Sequence, residues 1–166
     1  MTQEPMARAS ADRDRDAMGR PRSSRPRDAY GRPLPKDVEG VERVPDDYQP
    51  GPQEALAEAI RFLTDERPFN AHEVLEARWK TGPAQERELW QGLAQICVGL
   101  THLQRGNTTG AAALLVRGAE RISGYGPRRQ YGMDLDETVR VARLLAGTGP
   151  DPSSAIAAVC RTLSEG

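Results

Sequence analysis

The stretch Leu89-Trp90-Gln91-Gly92-Leu93-Ala94-Gln95-Ile96-Cys97-Val98-Gly99-Leu100-Thr101-His102, followed by Gly106-Asn107 and by Ala111, Leu114, Leu115, Ala119 and Ile122, decides the architecture of this chain. Trp90, Leu93, Ala94, Cys97, Val98 and Thr101 recur in steps of three and four, the apolar stripe of a helix predicted over 84–105. Gly106 stops that helix and Asn107 caps a new one. The second stripe therefore doubles back and packs antiparallel on the first.

Outward from this hairpin the pattern stays helical. Leu56, Ala59, Ile60 and Leu63 predict a first helix over 52–66, ended by Pro68. Asn70 stands three residues before Glu73, a capping-box arrangement that opens a second helix running to Gly82-Pro83. Residues 124–132 read as a loop. Asp134 with Glu137 forms another capping box, for a fifth helix carrying Val139, Val141, Leu144 and Leu145, and a short sixth spans 153–163. Nothing reads as a strand. The expectation is an all-α, antiparallel bundle of five to six helices over 49–166.

Residues 1–48 carry no hydrophobic periodicity and are rich in Arg, Asp, Pro, Gly and Ser. Such a stretch buries too little apolar surface to offset its chain entropy, so a disordered tail is expected. Within it, 25–35 is distinctive enough to suggest an extended strap over the body. Aspartates 12, 14, 16 and 28 interleave with the arginines, and the whole chain has a formal charge of −1. That balance does not favour nucleic acid as a partner. No apolar run approaches 18 residues and the first residues lack a secretory hydrophobic segment, so a cytoplasmic protein without a membrane partner is expected. Cys97 and Cys160 lie in apolar helical patterns and read as reduced core thiols.

The chemistry-bearing residues are few. Phe69, His72, Glu76 and Trp79 form one stripe of the second helix, with Glu73 at its edge; Gln91, Gln95 and His102 share a face of the third. If the two stripes meet, burying these groups unpaired costs several kcal/mol each. A divalent metal ion would offset that cost, with His72, Glu76 and His102 as ligands and Glu73 as general base. The motif His72-Glu73-x-x-Glu76 departs from the zinc-protease pattern, since Glu76 stands where a second histidine belongs. The alternative is a neutral hydrogen-bonded network supported by Gln91, Gln95 and Trp79, which fixes helix register. Gly99, Gly106, Asn107 and Ala111 also fall at spacings resembling a tetratricopeptide hairpin, although stable repeat arrays need about three units. No nucleophile elbow, phosphate loop or Cys-x-x-Cys pair is present.

Residues 69–79, 89–102 and 105–111, with the spacing between them, resemble the domain-of-unknown-function 309 family over about 56–122. The piece 25–35 resembles forms from high-GC actinobacteria. The resemblance implies a small bacterial or archaeal helical bundle and supplies no activity. The leading expectation is a non-catalytic structural or interaction module, with a protein partner or homo-oligomer. A metal-dependent hydrolase-like enzyme and a peptide-binding scaffold are the rivals.

Overall fold

The structure, a computed structural model, describes Pro45 and residues 47–164. The expected disordered tail and the strap at 25–35 lie outside the described residues. Within them six helices follow in order: α1 (Pro52–Thr64), α2 (Pro68–Thr81), α3 (Arg87–Gln104), α4 (Thr108–Tyr125), α5 (Leu135–Thr148) and α6 (Pro152–Ser164). A single 3-10 turn, Ala84–Glu86, leads into α3. Consecutive helices pack on one another, and α6 folds back against α1, α3 and α5. The bundle is thus closed rather than an open row of hairpins.

Two turns repeat each other forty residues apart. The Arg67 N–H donates to Phe62 O at 2.8 Å and the Glu66 N–H to Leu63 O at 3.0 Å; Asn107 to His102 O (2.9 Å) and Gly106 to Leu103 O (3.1 Å) are the same pair. This is the Schellman geometry, which needs a left-handed residue. Gly106 supplies it at φ 77°, and Glu66 is forced into it at φ 56°. The helix that follows each turn buries its fourth residue completely, Ala71 in α2 and Ala111 in α4, and Ala155 does the same in α6.

Helix α1 stops at Thr64, and Pro68 opens α2 rather than ending α1. A proline at the first helical position surrenders an N–H that has no intrahelical partner anyway. The expected Asn70–Glu73 capping box is therefore not formed: Asn70 lies inside the helix and is buried, and Arg67 is the N-cap. The two other predicted caps are present, with Asn107 accepting from the Gly110 N–H at 3.0 Å and Asp134 from the Glu137 N–H at 3.1 Å.

The expectation of no strand is corrected by a small antiparallel hairpin, β1 (Arg129–Gln130) with β2 (Met133–Asp134), paired Arg129 to Asp134 and Gln130 to Met133. Its two-residue loop, Tyr131 at φ 52° and Gly132 at φ 80°, has both central residues left-handed, the turn type that matches strand twist.

The α3–α4 contact is close because it is glycine-lined. A Cβ on Gly118 would lie 2.7 Å from Gly92 O and 2.7 Å from the Ile96 side chain. Trp90, Leu93, Ile96 and Leu100 on α3 and Leu115 and Ile122 on α4 build the centre of the core.

Candidate functional site

His72 and Glu76 are one turn apart on α2, and their side chains meet, Nε2 to Oε2, at 3.0 Å. The other Glu76 oxygen lies 2.6 Å from Lys80 Nζ. The hydrogen bond from His72, followed by that from Lys80, holds the Glu76 carboxyl at about 2. A carboxylate held so acidic is a poor proton acceptor near neutrality. His72 Nδ1 lies 3.3 Å from Phe69 O, so both ring nitrogens are engaged within α2 itself. Glu73 and Glu76, with Ala77 and Lys80, line a small cleft of about 150 Å³ whose other wall is Pro45 and Tyr48. Tyr48 donates to Glu54 at 2.9 Å, and burial together with this carboxylate pushes its phenol up to about 12.

The remaining residues expected at the site are elsewhere. His102 sits in the last turn of α3, where its Nδ1 lies 3.1 Å from Asn107 Nδ2 and takes part in the α3–α4 turn. Burial, then the Arg105 charge, lowers its pKa. Gln95 accepts from Arg121 Nε at 3.0 Å, and Arg121 Nη1 reaches Glu88 at 3.1 Å, so this group staples α3 to α4. Gln91 is half-buried on α3. Trp79 packs on the edge of the core with Lys80 and Arg87 cations 5.9 and 5.8 Å from its ring.

Hence the two polar stripes do not share one dry space. The outer side of α2 faces the chain at 45–48, whereas the Gln95 side of α3 faces α4. Among the described residues no three His, Cys, Asp or Glu side chains are grouped to hold a metal ion. The donor set His72, Glu76 and His102 does not fit a metal centre, because His102 belongs to a different joint.

A polar centre that the sequence reading passed over lies at the joint of α2, α3 and the hairpin. Arg78, only 9% exposed, reaches Glu86 at 3.6 Å and Pro50 O at 3.3 Å, and its guanidinium stands 5.6 Å from the Trp90 ring centre. Glu86 also accepts from Trp90 Nε1 at 2.9 Å and from the Tyr131 hydroxyl at 2.8 Å. The Trp90 and Tyr131 rings stack at 5.9 Å. Gly82 makes room for this, since a Cβ there would come within 2.9 Å of the Arg78 guanidinium carbon. The signal was present: Ala71, Val74, Leu75 and Arg78 share one stripe, which places Arg78 on the buried side of α2. Both cysteines are free, and burial pushes the Cys97 thiol up to about 12. No described helix is long and apolar enough to cross a membrane.

The comparisons with known proteins cover this same region. Residues 56–114 match the family described as "Domain of unknown function (DUF309)". Uncharacterized protein YpuF of Bacillus subtilis (strain 168) is 39% identical over 57 residues, 34% of this chain and 33% of that protein. The chain thus spans about a third of the length of this curated relative. No solved structure matches. The matched stretch, 56–114, holds both repeated turns, the His72–Glu76 pair and the Arg78–Glu86–Trp90 joint, and it is this part of the chain that is similar to the DUF309 family.

Proposed function

We propose that this domain is a non-catalytic interaction module whose inner polar groups fix helix register. The observation that carries this reading is the use made of Glu86, which takes Arg78, Trp90 and Tyr131 from three elements at once. Arg121 is used in the same manner between Gln95 and Glu88. Groups tied into such joints are positioned to hold helices, and a reacting centre needs groups left facing substrate.

The hairpins repeat at forty residues rather than the 34 of tetratricopeptides. Because α6 lies across α1, α3 and α5, a partner is met on outer surfaces.

Elemental analysis of the purified protein, with melting curves with and without a chelator, tests the reading. Stability independent of added divalent ion is the expected result. A stoichiometric metal lost on His72→Ala, with chelator-sensitive melting, overturns it in favour of the hydrolase-like enzyme with Glu73 as general base.

A further inference from the structure

We infer that the outer face of α5 binds an acidic peptide segment of a partner protein, anchored by one apolar side chain. This deepens the reading of the domain as an interaction module and rests on it. Two open clefts flank the helix. One, of about 390 Å³, lies between α4 and α5, with Ile122, Leu135 and Val139 among its apolar walls and Arg140 and Arg143 beside them. The other, of about 250 Å³, lies between α5 and α6, with Leu144, Leu145 and Ala158 as apolar walls beside Arg140 and Arg161. Arg140 borders both, so the clefts adjoin across α5.

The charges on this surface do not cancel. Asp136 is paired with Arg128 at 3.6 Å, and Arg140 Nε donates to Glu137 at 2.8 Å. Arg143 and Arg161 are exposed and have no carboxylate partner among the described residues. A guanidinium keeps its charge at any ordinary pH and offers a planar fork of donors that fits a carboxylate. One such group stands in each cleft. Leu144, 54% exposed, is the most exposed large apolar side chain of the described residues. A lone surface leucine needs no explanation. This one follows Arg143 in sequence and shares a cleft with Arg161, so it offers an apolar anchor point beside two carboxylate receptors. The occupant follows from that chemistry. Asp136 and Glu137 would repel a polyphosphate chain, and no aromatic ring lines either cleft for a base to stack on. A segment with acids on either side of an apolar residue meets both arginines and covers Leu144.

The test pans phage-displayed random peptides of about 12 residues, enough for three helical turns, against the full chain. Enriched sequences should carry acids flanking an apolar residue. A synthetic copy of the most enriched one should bind about tenfold more weakly to each of Arg143→Glu, Arg161→Glu and Leu144→Asp. All three side chains are exposed, so the melting temperature of each variant should not change. Amide shifts caused by the peptide should centre on α5 and α6. Neutral or basic enriched peptides, unchanged binding in the arginine variants, or shifts centred on another face overturn the inference and leave the interaction-module reading standing. No enrichment also overturns it, and metal content then decides the module reading separately. Tighter binding of a random single-stranded RNA, lost in Arg143→Glu, assigns the face to nucleic acid and overturns the inference. Dimers in sedimentation that dissociate in Arg161→Glu assign the face to a second copy, with the same consequence.

Discussion

The side-chain amide of Gln104 donates to the main-chain oxygen of Glu66 across 2.8 Å. The last turn of α3 thereby grips the left-handed residue of the α1–α2 turn. A non-glycine residue in that conformation is strained by about 1 kcal/mol, so Glu66→Gly should be neutral or stabilising by up to ~1 kcal/mol. Gly106→Ala at the equivalent turn should cost about 1 kcal/mol. Urea unfolding of the two variants checks the pair. A destabilised Glu66→Gly would mean that the turn is held by the Glu66 side chain instead.

Removing Glu86 leaves the Arg78 charge buried and two ring donors without their acceptor. Glu86→Ala should cost about 3 kcal/mol, the scale of breaking one side of a buried pair. The double variant Arg78→Met/Glu86→Gln should lose less than the sum of its parts, with a coupling above about 1 kcal/mol. Additive losses would show that the two side chains do not act together.

Glycines in α4 should respond in opposite directions. Gly118→Ala pushes a methyl into Gly92 O and Ile96, and overpacking of this kind costs about 1–3 kcal/mol. A Cβ on Gly124, in the exposed last turn of α4, meets nothing within 4 Å. Gly124→Ala should therefore stabilise by about 0.5–1 kcal/mol through helix propensity. Calorimetric melting temperatures decide both signs.

Stability should fall in two steps on acidification. His102 has a folded pKa lowered from 6.5, so its neutral form is favoured in the fold and stability declines once the pH drops below about 6.5, as the unfolded chain takes the proton first. Glu76, held at about 2 against an ordinary 4.5, adds stability that is complete above about 4.5 and drains as the pH falls toward 2. Urea midpoints between pH 8 and 3 should lose the first step in His102→Gln and the second in Glu76→Gln. An unchanged profile in either variant contradicts the assignment.

Periodicity revealed the helices because each buries one face, and the Asn107 and Asp134 caps were legible since a short polar side chain sat where each stripe began. The opening of α2 was misread: Pro68 is compatible with both the end and the start of a helix, and only the strained turn at Glu66 settles which. The β hairpin escaped notice because two-residue strands have no alternation to detect. At the candidate site, spacing correctly joined His72 to Glu76, which are neighbours within one helix. It did not foresee that His102 joins Asn107 and Gln95 joins Arg121, because the rotation of α3 against α2 is set by packing of Trp90 and by the glycine-lined contact with α4. Arg78 was legible as a buried position yet passed over, since a cation in an apolar stripe reveals itself only when its partner, eight residues on, is folded beside it.

The contact between the first and last helices has a kinetic and mechanical meaning. Thr64 Oγ1 and Cys160 Sγ, 96 residues apart in sequence, lie 3.9 Å from each other. A linear array of hairpins unravels from its ends, one unit at a time. Here α1 and α6 shield each other, so unzipping the described body from either side must first break contacts that are among the longest in range of the described residues. Such contacts slow folding, and they couple the two ends of the described body so that neither frays alone.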